Sequence, residues 1–231
     1  MKRRFLKIGI CFIALIISLG SSFILLASEG LSQVTEKVLD VKIVKDYGIH
    51  NLYPGVYTDE NLALNADGLW GSDVKNAVTH EIKIKNTGNM PAKVKVIIAF
   101  EQGNLSNEEF EKLVFRNINR IDWTWDEENK VYGLEMDGTQ YMAISATYNH
   151  ELFKETVTTA SLKQILLSRE TKNEDICKID GNGNGTYDIR IKSQSCETSV
   201  DLNNVFSSTI TKESFTKKAV IEDKSILINY E

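Results

Sequence analysis

The sequence predicts a mainly β protein, a β-sandwich of the jelly-roll or immunoglobulin-like type with two inserted helices. Three observations indicate this fold. Apolar and polar residues alternate in many short segments, as they do in half-buried strands. Residues that favour turns separate these segments. Two further segments carry apolar residues at helical spacing. The predicted strands are residues 38–45, 78–85, 92–100, 121–125, 130–135, 141–148, 186–192 and 219–230, the last interrupted near Asp223.

The clearest strand is the segment 78–85, in which Ile82 and Ile84 alternate with charged lysines. Residues 86–91, Asn-Thr-Gly-Asn-Met-Pro, then provide residues that can adopt positive φ and a proline that ends strand pairing. Alternation resumes in residues 92–100. These two strands are therefore predicted to pair with each other in an antiparallel hairpin.

Two helices are predicted. Ser106 and Glu109 have the spacing of a capping box, and apolar residues follow at helical spacing as far as Ile118. Residues 159–168 carry a second apolar stripe, with Leu162 and Ile165 among its members. Both stripes are expected to pack on the sheets.

The N-terminus resembles an export signal. Basic residues at positions 2, 3, 4 and 7 precede an uncharged, largely apolar stretch, residues 8–27. Residues 1–28 are therefore predicted to be a cleaved signal peptide, which leaves 29–231 as a single domain that is exported to the cell surface or the extracellular space. About 20 apolar residues are also enough to span a bilayer, so a retained signal anchor is the alternative.

The charge of the chain argues against nucleic acid as a partner. The full sequence has a net charge of −5. Without the four basic residues of the leader, 23 basic and 32 acidic residues remain, a net charge of −9. A chain this acidic is not expected to bind nucleic acid.

Cys177 and Cys196 are the two cysteines outside the leader. An even number of cysteines on the exported side of the membrane favours a disulfide. It would close a loop of about 20 residues at the C-terminal hairpin region and stabilise the fold by roughly 3 kcal/mol. Two separate buried thiols are the alternative.

A glycine-rich segment resembles the first half of a calcium loop. Oxygen-bearing side chains occupy its positions 1, 3, 5 and 9. Position 12, where a bidentate acid is needed, is instead Ile191. The predictions are therefore a weak calcium site or a glycine-rich turn. The candidate ligands are Asp180, Asn182, Asn184 and Asp188.

Trp123 and Trp125 share one face of a predicted strand and could form, with Tyr132, a platform that binds a sugar or a peptide. Packing in the core is the alternative use of these aromatic rings. A catalytic zinc site is not predicted, because His80-Glu81 lacks the second histidine of a His-Glu-x-x-His motif.

The leader, Pro54-Gly55 and the block 80–92, His-Glu-Ile-Lys-Ile-Lys-Asn-Thr-Gly-Asn-Met-Pro-Ala, resemble the camelysin/TasA group of exported Gram-positive proteins. The resemblance covers roughly residues 1–170. It implies cleavage by a dedicated signal peptidase, a location at the surface or in the biofilm matrix, and in some members fibre assembly by exchange of an N-terminal strand. Camelysin itself has been classed as a metallopeptidase.

The predicted function is that of a non-catalytic structural protein of the cell surface or extracellular matrix, whose partners are further copies of itself or other surface proteins. An exposed strand edge can pair with another chain. The candidate assembly residues are Val38, Val41 and Ile43. A membrane-anchored ectodomain that binds a glycan or peptide is one alternative, and a metallopeptidase is another. No cofactor is expected apart from the possible calcium ion.

Overall fold

Antiparallel strands are the main regular structure of the protein, which confirms the predicted β class. The computed structural model describes residues 39–46, 52–183, 185–201, 205, 207–216 and 226–230. All of these belong to one compact unit, residues 38–231. The predicted leader, residues 1–28, lies outside the described residues.

The strands follow one another with short helices between them. They are β1 (Val41–Asp46), β2 (Val78–Thr79), β3 (Glu81–Asn86), β4 (Ala92–Glu101), β5 (Val114–Ile118), β6 (Trp123–Trp125), β7 (Val131–Met136), β8 (Thr139–Tyr148), β9 (Leu162–Leu167), β10 (Ile189–Glu197) and β11 (Ile226–Tyr230). The helices are α1 (Asn107–Leu113), α2 (Asn173–Ile179) and α3 (Glu213–Thr216).

Two layers form a β-sandwich. One layer is a six-stranded sheet in the order β11-β10-β4-β8-β6, with β7 also paired to β8. The other layer combines the sheet β2-β9-β5 with the pair β1-β3. These two parts are joined because the N–H groups of Thr158 and Ser161, which precede β9, donate to the carbonyls of Ile84 and Ile82 in β3, at 2.9 and 2.8 Å.

The main core lies between the layers. Alternate residues of β4, such as Ile98 and Phe100, point into it, and Ile82 and Ile84 of β3 do so from the opposite layer. Phe110 of α1 and Trp123 of β6 are also buried there. The alternation that the sequence shows in these strands is therefore the alternation between the core and the outer faces.

The predicted hairpin between 78–85 and 92–100 is wrong. β3 pairs with β1, whereas β4 pairs with β8 and β10. Both strands have one apolar face, and the two faces lie against each other across the core instead of side by side in one sheet. The turn at 86–91 therefore carries the chain from one layer to the other.

The predicted helix 159–168 is also wrong, because its central residues form β9. Leu162, Ile165, Leu166 and Leu167 are all nearly inaccessible to solvent. β9 lies between β2 and β5 with apolar residues buried on both faces, and a short segment of this kind does not show the alternation that distinguishes a strand from a helix.

The capping box at Ser106 is confirmed, since Ser106 and Glu109 exchange both hydrogen bonds of the motif. The helix that it begins is shorter than predicted. It ends at Leu113, and residues 114–118 form β5, in which β-branched and aromatic side chains favour a strand. Helix α2 has no counterpart among the elements predicted from the sequence.

Candidate functional site

The first described strand, β1, is the strongest candidate for an assembly element. It pairs with β3 in antiparallel register, with Val41 opposite Asn86 and Ile43 opposite Ile84. Val41 is fully buried and Ile43 is 9% exposed, whereas Lys42 between them faces solvent. β1 therefore inserts alternate side chains into the core. Val38, the third predicted assembly residue, lies outside the described residues.

Within the described part of the chain, β3 is the only strand hydrogen-bonded to β1. The other edge of β3 bonds to the segment that precedes β9. Among the described strands β1 thus lies at an edge, and its removal would leave one edge of β3 unpaired and expose Ile82 and Ile84, which are fully buried. An unpaired edge beside an apolar groove is a surface to which another strand can add.

The Asn-Thr-Gly segment after β3 holds the beginning of β1 in place. The N–H groups of Thr87 and Gly88 donate to the carbonyl of Asp40, at 2.8 and 2.9 Å. The hydroxyl of Thr87 donates to the carboxylate of Asp40 at 2.5 Å. Three hydrogen bonds therefore fix the residue that precedes β1.

Asn86 organises the same turn from inside. Its side-chain amide donates to the carbonyls of Met90 and Leu152, at 2.7 and 2.8 Å, and its side-chain oxygen accepts from the N–H of Gly88 at 2.9 Å. The residue is fully buried. The Asn-Thr-Gly motif is consequently a structural junction between β1, the turn and residue 152.

The tryptophan platform predicted from the sequence is not present on the surface. Trp123 is 1% exposed and Trp125 is 9% exposed. Their indole N–H groups donate to the carbonyls of Thr159 and Asn119, at 3.1 and 2.8 Å. The pair packs in the core, which was the alternative interpretation. Tyr132 is half-buried, and its hydroxyl donates to a carboxylate of α1.

Cys177 and Cys196 are free thiols in the structure, so the predicted disulfide is not formed. Cys196 lies opposite Lys93 near the start of β4. Lys178, the neighbour of Cys177, bonds through its carbonyl to the N–H of Asn104, beyond the end of β4. The two cysteines therefore lie near opposite ends of β4, and residues 93–101 of that strand span roughly 26 Å at the usual rise per residue. A disulfide requires Cα atoms within about 7 Å.

The predicted calcium residues lie in the loop between α2 and β10. Asp180 follows α2 as its C-cap residue, and its carboxylate accepts from the N–H of Gly185 at 2.9 Å. Asn182 is exposed, Asp188 is half-buried, and Asn184 lies outside the described residues. Ile191, at the twelfth position, is buried in the core. Calcium binding by this loop stays a prediction.

Across the described ranges, no three His, Cys, Asp or Glu side chains are grouped so that they could hold a metal ion. Those same ranges contain no helix of the length and hydropathy that crossing a membrane requires.

Glu101 is a buried acid that is not among the residues predicted from the sequence. It ends β4 and is fully buried. Its carboxylate accepts from the N–H groups of Asp188 and Gly181, at 2.7 and 3.3 Å. Burial raises the pKa of Glu101 to about 7, and the neighbouring Asp188 and Asp180 carboxylates act in the same direction. The signal in the sequence is an acid placed directly after the apolar run 96–100.

No family model matches this chain, and no curated protein matches it either.

Proposed function

We propose that this protein is a non-catalytic structural component of the cell surface or extracellular matrix, and that copies of it assemble by exchange of β1. The observation that supports this proposal is the position of β1. It lies at an edge among the described strands and at the N-terminal end of the compact unit, and its inward side chains fill a groove beside β3.

Exchange would preserve the contacts that β1 makes. In an exchanged assembly, β1 of one copy pairs with β3 of the next in the same register, and Val41 and Ile43 enter the neighbour's core. Burial of each of these side chains contributes about 1.5–3 kcal/mol. Because the same burial occurs within one chain and between chains, the free-energy difference is small and concentration favours assembly.

Export is part of the same proposal. The basic and apolar leader has the order of a secretory signal, and cleavage near residue 28 would release a free N-terminus a short distance before β1. The resemblance to the camelysin/TasA group supports both export and exchange of an N-terminal strand. The alternative of a membrane-anchored module with a Trp123/Trp125 platform is less favoured, because both rings are buried.

Cysteine pairing between different chains tests the exchange. Lys42 lies directly opposite Lys85, and neither side chain is in the core. Two variants of residues 29–231 are made in a Cys177→Ser background, one with Lys42→Cys and one with Lys85→Cys. The variants are mixed, assembled at high concentration and oxidised. Strand exchange predicts disulfide-linked heterodimers of the two variants.

The controls separate exchange from random contact. A chain that carries both substitutions should form the disulfide within itself when it is dilute. A mixture of Lys42→Cys with Lys112→Cys, an exposed lysine on α1, should give no heterodimers. If the Lys42 and Lys85 variants also give none, and light scattering shows monomers with and without calcium, the proposal is wrong.

The intact mass of the protein from its native host tests export. A mass that begins near residues 28–31 is expected. A mass that retains residue 1 or 2 would instead indicate a membrane-tethered ectodomain.

A further inference from the structure

A cleft opens on the side of the sandwich where β5 and the β6–β7 region meet. Its volume is about 650 Å³, within the range of sites for small ligands. Phe100, Met142 and Ile144 form its apolar floor. Neither β1 nor β3 contributes a residue to the lining, so this cleft is separate from the proposed assembly strand.

Charged side chains of both signs line the walls. Three cations and two carboxylates are present, so the cleft has one positive charge in excess although the chain as a whole is acidic. The charged residues are Glu111, Arg116, Arg120, Glu127 and Lys130.

Ion pairs hold these groups in a connected row. Glu111 pairs with Arg116 and, at 3.1 Å, with Lys130. Glu127 pairs with Arg120 at 2.7 Å and lies 3.8 Å from Lys130. The side chain of Arg120 remains 63% exposed, so part of this group is accessible to a ligand.

An aromatic ring stands among the charges. Trp70 is half-buried and lines the cleft, unlike Trp123 and Trp125, which pack in the core. The chain contains three tryptophans, so Trp70 is the one placed to meet a ligand here. Asn117 of β5 lines the cleft beside it.

We propose that this cleft binds an acidic saccharide, in which a sugar ring carries a carboxylate. The apolar faces of a sugar ring suit the indole of Trp70. Its hydroxyl groups can donate to the carboxylates of Glu111 and Glu127. The carboxylate of one such ring matches the positive charge in excess, and Arg120 offers a guanidinium that can bind a carboxylate with two hydrogen bonds.

The mixture of charges selects this ligand class. A fatty acid would lay an apolar chain against these ion-paired walls, and taking water away from charged groups without giving them a new polar partner is unfavourable. A neutral sugar would use the hydroxyl contacts but leave the excess cation unmatched. A ring that carries both hydroxyls and one carboxylate per unit satisfies all three kinds of lining group.

Titration with trigalacturonate tests the proposal, with its trimethyl ester, the same sugar with its carboxylates neutralised, as the matched probe. Calorimetry on the protein is expected to show that trigalacturonate binds and that the ester binds at least about tenfold more weakly, the loss of one charge-assisted contact. Because the carboxylate contact is partly exposed, raising the salt from about 50 to about 300 mM should weaken trigalacturonate binding. No binding of trigalacturonate at millimolar concentration would overturn the proposal, and so would equal binding of trigalacturonate and its ester.

Two variants locate the contact. Arg120→Gln removes an exposed charge, and Trp70→Ala removes the ring. Each should weaken trigalacturonate binding at least about tenfold. Arg169→Gln is the control, since Arg169 is another exposed arginine that pairs with Asp59 outside the cleft. If Arg120→Gln binds as tightly as Arg169→Gln, the cleft is not the site. This result is independent of the cysteine test, so each proposal can fail alone.

Discussion

Replacement of Glu101 by glutamine should remove a pH dependence from the stability of the fold. Glu101 is fully buried at the end of β4, opposite Tyr141 in β8. Burial is the largest cause of its raised pKa, and the nearby carboxylates of Asp188 and Asp180 add to it. The hydrogen bonds from the N–H groups of Asp188 and Gly181 lower the pKa in part.

The raised pKa of Glu101 determines whether the stability of the fold rises or falls with pH. The folded protein binds the proton of Glu101 up to a pH of about 7, whereas the unfolded chain releases it near 4.5. The stabilisation that comes from the protonated form is therefore fully present below about 4.5 and is lost as the pH rises through about 7. The difference between the two pKa values corresponds to at most about 3 kcal/mol.

Urea denaturation at several values between about pH 4.5 and about pH 8 measures this effect. Glutamine has the shape of glutamic acid but does not titrate. The free energy of unfolding of Glu101→Gln minus that of the parent should therefore rise with pH, by up to about 3 kcal/mol over this range. Glu135→Gln, an exposed glutamate on β7, is the control and should give a flat difference.

A flat difference for Glu101→Gln would refute the reasoning. It would mean that the site admits enough water, or rearranges enough, to keep the carboxylate charged at low cost. A difference that falls with pH would mean that the two N–H donors outweigh burial, and that the charged form is the one that the fold stabilises.

Three further outcomes are expected. Gly103→Ala should destabilise the fold by about 2–4 kcal/mol in thermal or urea melts, because this residue has positive φ and an added Cβ would lie 2.1 Å from a carbonyl oxygen of α2. The control is Gly138→Ala, which also has positive φ but has open space around the added Cβ, and it should cost about 1 kcal/mol. Asn86→Asp should cost about 2–4 kcal/mol, because the carbonyls of Met90 and Leu152 each lose the hydrogen bond from Asn86 and instead face a carboxylate, whereas the exposed Asn61→Asp should change little. The exposed Cys177 should react with iodoacetamide in the folded protein without prior reduction. If Cys177 reacts only after reduction, the disulfide interpretation is correct instead.

The sequence predicts strands well where one face is apolar and the other polar. The segments around Ile82 and Ile98 show this alternation, and both are strands with those residues in the core. The partners of these strands are not predictable in the same way, because alternation tells which face is buried and not which strand lies alongside. The hairpin between β3 and β4 fails for this reason.

The run that forms β9 shows a different limit. Leu162, Ile165 and Leu166 fall at the spacing of a helical stripe, although in the structure they belong to a strand. Apolar residues cover both faces of β9, so the alternation that marks a half-buried strand is absent. A short apolar run then fits a helix and a strand equally well, and only its pairing with β2 and β5 decides between them.

The functional residues are predicted less well, because they depend on contacts that are distant in sequence. Cys177 and Cys196 are close in the chain, yet they lie at opposite ends of β4. Arg116, which lines the cleft, falls in a segment that the sequence predicts to be helical. Trp70 lies in the long connection between β1 and β2, where apolar residues show neither strand nor helix periodicity. Only the fold therefore places it in the same cleft as Arg120.

Strand exchange has a consequence for how it can be detected. Asp40 and Val41 would make the same bonds with Thr87 and Asn86 whether these belong to the same chain or to a neighbour. A substitution that weakens β1, such as Val41→Asp, therefore destabilises the closed monomer and the assembly alike. Loss of assembly in such a variant does not separate exchange from any other kind of association. The cysteine pair does, because the bond between residues 42 and 85 records which chain supplied each strand.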